Sequence, residues 1–202
     1  MYKKIVFFNK LAHSWDIKHN SKDYLNMLLR HSSLYGIRKG EKILEVGCGT
    51  GNMFGILTKR VGKKGRVLAV DASSCMIEYA KRKFQRYRKN FFVADAANLP
   101  FKAGYFDRVI YFSSFPHFKD KLSALKEAGR VLKVGGYLII SHTASSRKIA
   151  SIHKRAGGPV FNDRLPSKRK LYNMLAKTGF QVLCYRNQKK LYLLKARKIN
   201  IQ

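Results

Sequence analysis

Five short apolar runs alternate with amphipathic stretches along most of the chain, and that order limits the possible folds more than any other feature. The runs are KILEV (42–46), RVLAVD (66–71), FFVAD (91–95), DRVIYF (107–112) and GYLIIS (136–141). Each is rich in Val, Ile, Leu or Phe and mostly lacks the polar alternation of a half-wet strand, which marks parallel strands buried on both faces. Between them lie GNMFGILTKR (51–60), SSCMIEYAKRKFQRYR (73–88) and KDKLSALKEAGRVLK (119–133), with apolar residues at helical spacing. In the last of these Leu122, Leu125, Ala128 and Leu132 share one face, and the VGG at 134–136 is expected to stop the helix. Strand and helix in alternation predict an α/β fold with a doubly wound, mostly parallel sheet and helices on both faces.

The two ends differ from this pattern. A polar, helix-like segment occupies roughly residues 8 to 35. Near the other end, SKRKLYNMLAKTGF reads as a helix from Ser167 closed by Gly179, followed by FQVLCYR and LYLLKAR with only NQKK between them. Strands that close pair only as an antiparallel hairpin, because a parallel partner needs a crossover of a dozen or more residues. A seven-stranded sheet with an antiparallel C-terminal strand follows. The expected division is one domain over 1–202: an N-terminal helical part (1–38), a ligand-binding core (39–145), and a segment with helix and hairpin (146–202).

At 202 residues and 46% hydrophobic, the chain suffices for one such core. The start, MYKKIVFFNK, has an apolar run of only four residues and no small-residue cleavage site, so it does not read as a signal peptide. No stretch reaches the ~18 apolar residues of a membrane-spanning helix. Cys48, Cys75 and Cys184 are odd in number and far apart, which argues against a disulfide framework or a zinc site and for a reducing, cytoplasmic setting. The unusual quantity is charge: 42 Lys+Arg against 11 Asp+Glu give +31. Nucleic acid, an anionic surface or an anionic small molecule would each be drawn by that field, and the dispersal of the basic residues is equally compatible with solvated faces.

Directly after the first strand, ILEVGCGTGN places Gly47, Gly49 and Gly51 in a G-x-G-x-G turn. Such a turn lies at the carboxyl edge of the sheet, where ligands bind, and the next helix offers unpaired N–H groups. The spacing is not the G-x-G-x-x-G of dinucleotide enzymes, and Glu45 beside it suits a cationic ligand better than a pyrophosphate. Asp71 ends the second strand, 20 residues past Gly51, the distance at which a carboxylate receives ribose hydroxyls. Asp95 ends the third. Together these acids point to a ligand with a ribose, an amine-bearing base and positive charge.

With these residues the chain resembles the class I S-adenosylmethionine-dependent methyltransferases, which have a Rossmann-like fold. ILEVGCGTG resembles their first motif, VLAVDAS with Met76 the second, FFVADAANLPF the third, FDRVIYFSSFPHF the fourth and LKEAGRVLKVGGYLIIS the fifth. FFNKLAHSWD (7–16) is similar to the N-terminal lid of small-molecule members. The resemblance implies S-adenosylmethionine as cofactor and S-adenosylhomocysteine as product. It implies Gly47, Cys48 and Gly49 along the methionine part, Gly51 in the same turn, and Glu45 near the ammonium. Asp71 would hold the ribose, Ala72 or Met76 would pack on the adenine, Asp95 would accept from the adenine amine beside Ala96, and Ser113 would stand where cofactor meets substrate.

Methyl transfer from a sulfonium is an in-line displacement, so alignment and exclusion of water carry most of it. A base is required only where the acceptor holds a proton, and His117 in FPHF is the candidate, with its ordinary pKa near neutrality. His142 ends the fifth strand on the same edge; Trp15 and Phe115 are the expected aromatic walls on the substrate side, with Phe118 beside them. His153 adds a third histidine, but no single element has ligand spacing and no metal is expected. A small, anionic or lipid-like acceptor is favoured by the short chain and the lid-like segment. An RNA or DNA acceptor is favoured by the charge, although SSFPH departs from the fourth motif of enzymes that methylate base amines; a non-catalytic binder is the third class.

Overall fold

The computed structural model describes residues 2–19 and 21–200; Met1, Asn20, Ile201 and Gln202, parts of the expected terminal segments, lie outside the described residues. Among these residues seven strands form one sheet: β1 (Lys42–Val46), β2 (Arg66–Asp71), β3 (Phe91–Val93), β4 (Phe106–Phe112), β5 (Leu132–His142), β6 (Phe180–Gln188) and β7 (Leu191–Lys198). Their order is β3-β2-β1-β4-β5-β7-β6. β1 to β5 are parallel, whereas β7 runs antiparallel to both β5 and β6. The last strand lies between β5 and β6, and the two-residue turn Lys189–Lys190 permits only the reversed pairing of β6 with β7.

Among the described residues, seven α-helices flank the sheet: α1 (Tyr2–Lys18), α2 (Lys22–Ser33), α3 (Phe54–Val61), α4 (Ser74–Lys83), α5 (Lys121–Val131), α6 (Ser146–Ala156) and α7 (Lys168–Lys177). Side-chain caps start several of them: Ser73 accepts from Met76 N–H, Asp120 from Ser123, Ser145 from Lys148 and Ser167 from Lys170. Each cap satisfies a backbone donor that the first helical turn leaves unpaired. None of the described helices is long and apolar enough to cross a membrane.

The apolar runs bury both faces of the sheet. Leu44, Val46, Val109, Tyr111, Leu138 and Ile140 pack on the side of α5 and α7; Ile43, Ile110 and Ile139 pack on the side of α2 and α3. One buried charge interrupts this core. Arg108, 2% exposed, reaches Glu41 with Nε at 2.6 Å and Nη2 at 2.8 Å and donates to Tyr35 O at 3.0 Å.

Three elements depart from expectation. The N-terminal segment is two helices, not one, with Ser21 capping the second through Tyr24 N–H. The helix expected over 73–88 stops at Lys83, and residues Gln85–Asn90 tighten into 3-10 turns. The helix expected to run to the VGG ends at Val131, and β5 begins at Leu132 with no intervening loop. Gly135 (φ +78°) lies inside β5, near the register shift between Phe106 and Arg108, so the glycine bends a strand and does not stop a helix.

Candidate active site

The order of strands reverses between β1 and β4, and the connections above their carboxyl ends leave the crevice in which such sheets bind ligands. A cavity of about 230 Å³ lies there. Its floor is the glycine turn. Gly47 N–H and Cys48 N–H donate to Val70 O at 2.8 and 3.0 Å, anchoring the turn to β2. Gly47 has φ +75°, and a Cβ there would stand 2.3 Å from Ser114 Cβ, so the close approach of β1 and β4 excludes any side chain. At Gly49 a Cβ would project between Trp15 Nε1, 3.7 Å away, and Met76 Sδ, 3.9 Å away. Gly49 lines the cavity, so its missing side chain is space that a ligand can occupy.

The carboxylates stand on one wall. Asp71 accepts from Gly49 N–H at 2.8 Å and from Ser73 N–H at 2.9 Å, which locks it against the turn. Burial raises its pKa, with the backbone donors opposing that shift. Asp95 accepts from Ala97 N–H at 3.1 Å. Both line the cavity with Ala72, Met76 and Ala96. Across from them, Ser113 has φ +53°, a conformation uncommon outside glycine, and its N–H donates to Ser141 O at 2.9 Å.

α1 forms the roof with Ile5, Phe8 and Trp15. Ser73 Oγ donates to Asn9 Oδ1 at 2.6 Å, Thr50 Oγ1 donates to Asp16 Oδ1 at 2.5 Å, and Lys83 Nζ reaches Asp16 at 3.1 Å. These bonds tie the roof directly to the turn and to α4, so closure over the cavity is built from the same loops that form its floor.

His117 lines the far end, in the short 3-10 turn Phe115–His117 after β4. Its Nδ1 is 2.7 Å from Asp163 Oδ2, and its ring meets Phe8 edge-on at 5.0 Å. Lys4 Nζ bonds the other oxygen of Asp163 and donates to His117 O at 3.2 Å. His153 lies with its ring 4.6 Å from that of His117 and its Nδ1 2.7 Å from Asp163 O. Burial lowers the His117 pKa against the opposing Asp163 hydrogen bond, with His153 and Lys4 reinforcing the drop. The imidazole is therefore neutral at pH 7. Asp163, which burial alone would raise, is held below the usual carboxylate range by His117 and Lys4. A carboxylate at Nδ1 places the proton there and leaves Nε2 as the basic nitrogen.

Of the residues singled out from sequence, Gly47, Gly49, Asp71, Ala72, Met76, Asp95, Ala96, Ser113, His117 and Trp15 line this one cavity. Five do not. Glu45 alternates with Leu44 and Val46 and so lies on the opposite face of β1, 2% exposed with Oε2 unpartnered; burial, then Asp71, pushes its pKa to about 8. Cys48 packs in the α2–α3 core, its thiol donating to Gly49 O and its pKa raised by burial. Gly51 backs onto Phe84, where a Cβ would meet the ring at 2.9 Å. Phe115, fully buried, stacks on Tyr111 with ring centroids 5.6 Å apart, and is core where a substrate wall was expected. His142 is buried against Tyr192, with its pKa lowered to about 3 by burial first and then by the neighbouring histidines. Among the described residues no three metal-ligating side chains converge.

Sequence reasoning missed Asp163, Lys4 and the pairing of His153. Asp163 lies 46 residues from His117, in a segment without periodicity. Only the contact reveals it.

Residues 44–140 match the family model described as "Methyltransferase domain". A demethylmenaquinone methyltransferase from Staphylococcus epidermidis is 34% identical over 154 residues, 73% of this chain and 64% of its own length. The Staphylococcus aureus enzyme of the same name is 33% identical over 151 residues, 72% and 63% of the respective lengths. This chain thus spans just under two thirds of those relatives. Among solved structures, a SAM-dependent methyltransferase from Aquifex aeolicus superposes with a TM-score of 0.73 over 92% of this chain and 98% of its own, at 24% identity. The putative methyltransferase in a Haloferax volcanii complex with the Trm112 activator gives 0.77 over 96% and 98%, at 18%.

Proposed function

We propose that the chain is a class I S-adenosylmethionine-dependent methyltransferase, a reading supported by the methyltransferase-domain match over residues 44–140, and that it methylates a small, lipid-like acceptor whose reacting group must lose a proton. The observation that carries this reading is the meeting of the Gly47–Gly49 turn, Asp71, Asp95 and the His117–Asp163 pair on one roofed cavity. The residues present fit the cofactor. The glycine turn leaves room beside Gly49, two carboxylates end adjacent strands, and Met76 and Ala96 offer apolar surface between them.

When bound, S-adenosylmethionine supplies an electrophilic methyl group and S-adenosylhomocysteine is left. In this reading Gly47 and Gly49 hold the methionine part, with Cys48 and Gly51 shaping the turn and Glu45 acting only from behind it. Asp71 keeps lone pairs beyond its two backbone bonds for the ribose hydroxyls. Ala72 and Met76 flank the adenine, Asp95 accepts from its amine beside Ala96, and Ser113 borders the acceptor. His117 takes the acceptor's proton at Nε2, while Asp163 fixes the tautomer and favours the cation that forms. Phe8 and Trp15 exclude water.

The name shared by the staphylococcal relatives supports a lipid-like acceptor. The roof of α1 supports a small acceptor over a nucleic acid strand, which needs an open groove. Cys48, Cys75 and Cys184, all unpaired, support a cytoplasmic setting. Calorimetric titration with S-adenosylhomocysteine tests the cofactor site: Asp71→Ala is expected to weaken binding about tenfold or more, and unchanged affinity would overturn the assignment.

A further inference from the structure

A second cleft, about 750 Å³, adjoins the first between the start of α5, residues 162–167 and α7, and Lys119 lines both. Its cations are Lys119, Lys121, Arg164 and Lys170. Its one lining carboxylate, Asp120, is engaged in capping α5, with Ser123 N–H at 2.9 Å and Ser123 Oγ at 2.7 Å. Lys119, Arg164 and Lys170 are exposed and make no ion pair among the described residues.

The crowding is unfavourable as it stands. Lys121 Nζ is held by Pro116 O and Phe118 O, both at 2.9 Å, and burial together with the charges of Lys4 and Lys170 depresses its pKa. The first turn of α7 contains no acidic residue, and Lys168, Arg169 and Lys170 occupy it. Four like charges around a concave wall focus positive potential into the cleft, and the entire chain's field of +31 supports it. A multiply charged anion of compact shape relieves that repulsion, and a phosphate or diphosphate offers the acceptor oxygens that several lysines and an arginine can share.

We propose that this cleft is the anion subsite of the acceptor, holding a phosphate or diphosphate group while the acceptor's reacting end passes Lys119 into the cofactor cavity. The inference rests on the methyltransferase reading, and it names the acceptor as a phosphorylated, otherwise apolar molecule. The phosphate is recognised and not transferred.

The test is calorimetric titration of the full chain with inorganic pyrophosphate, with S-adenosylhomocysteine present, at constant ionic strength. Saturable binding at one site is expected, weakened about tenfold or more by Arg164→Ala with Lys170→Ala. Lys63→Ala with Lys64→Ala, the same charge change at the opposite, amino edge of the sheet, is expected to alter it by no more than about twofold. Equal weakening by both pairs, or no saturable binding, overturns the proposal, because the attraction is then that of the net charge alone. Each variant's S-adenosylhomocysteine affinity and thermal unfolding are measured alongside. Loss of cofactor binding in the unaltered chain with pyrophosphate binding intact would refute the methyltransferase reading instead. A parallel titration with phosphatidylcholine vesicles, with and without phosphatidic acid, identifies the source. Dependence on Arg164 and Lys170 for vesicles but much weaker pyrophosphate binding marks a lipid headgroup, and equal dependence for free pyrophosphate marks a soluble one.

Discussion

Replacing Glu45 with glutamine is expected to stabilise the protein at neutral pH, even though Glu45 sits directly before the glycine turn that lines the cavity. The carboxyl is 2% exposed, Oε2 has no hydrogen-bond partner, and the folded pKa is about 8 against an ordinary 4.5. Below pH 4.5 both folded and unfolded chains hold the proton, and the group is neutral in its effect. Between 4.5 and 8 the unfolded chain ionises while the folded one does not, so unfolding releases a proton and stability falls as pH rises. At about 1.4 kcal/mol per unit, the loss reaches about 3 kcal/mol at pH 7 relative to pH 4. Glutamine has the same shape and no proton to lose. Urea unfolding of both proteins at pH 4, 5, 6 and 7 measures the difference between them, which cancels other titrating groups such as His142, whose effect runs the opposite way. A stability difference independent of pH, or a Glu45→Gln protein that loses ground as pH rises, would refute the argument and mean that Glu45 is ionised inside the fold.

Asp163→Asn is expected to leave S-adenosylhomocysteine affinity unchanged, cut kcat by about tenfold or more, and move the acidic limb of the pH–rate profile to lower pH. The sign follows from Asp163 raising the His117 pKa by its hydrogen bond; an unmoved limb would assign Asp163 a purely structural role. Gly47→Ala combines an unfavourable positive φ, about 1–2 kcal/mol, with overlap on Ser114, about 1–3 kcal/mol more. Gly104→Ala, with φ +63° and open space, carries only the first cost, and equal chemical denaturation midpoints for the two would contradict the overlap at Gly47. Glu41→Ala leaves Arg108 buried without its carboxylate and is expected to cost about 3–5 kcal/mol, read by urea unfolding; a loss under about 1 kcal/mol would show that water or Tyr35 O suffices.

Much of the sheet was legible because buried strands and their connections are local. The runs at 42–46 and 66–71 coincide with β1 and β2 to the residue, and the short gap between the last two apolar runs dictated an antiparallel hairpin, which closes at Lys189–Lys190. That Gly47, Gly49, Asp71, Asp95 and Ser113 meet on one cavity was legible in the same way, because each lies at or within two or three residues of the end of its strand. Helix ends were less so. In GRVLKVGG the helical face continues through Leu132, and the competing β propensity of LKV wins because Leu132 pairs with Phe106 of β4. That is a tertiary contact, and no local pattern predicts it.

The face of a doubly buried strand is the harder limit, and Glu45 shows why. In a half-wet strand polarity tells the faces apart, but Ile43, Leu44 and Val46 are all buried and only the helices beyond decide what each side meets. Sequence distance to the turn therefore made Glu45 look like a cavity residue, while alternation turned it toward α2. Asp163 is the converse case: distant in sequence, it reaches His117 because the 3-10 turn Gly158–Val160 after α6 packs against α1 and brings the following residues to the end of the cavity. Lys4 seals that contact from α1. α1, His117 and Asp163 are thus held by one set of contacts, and breaking any of them is expected to be felt at His117 before it is felt in the sheet.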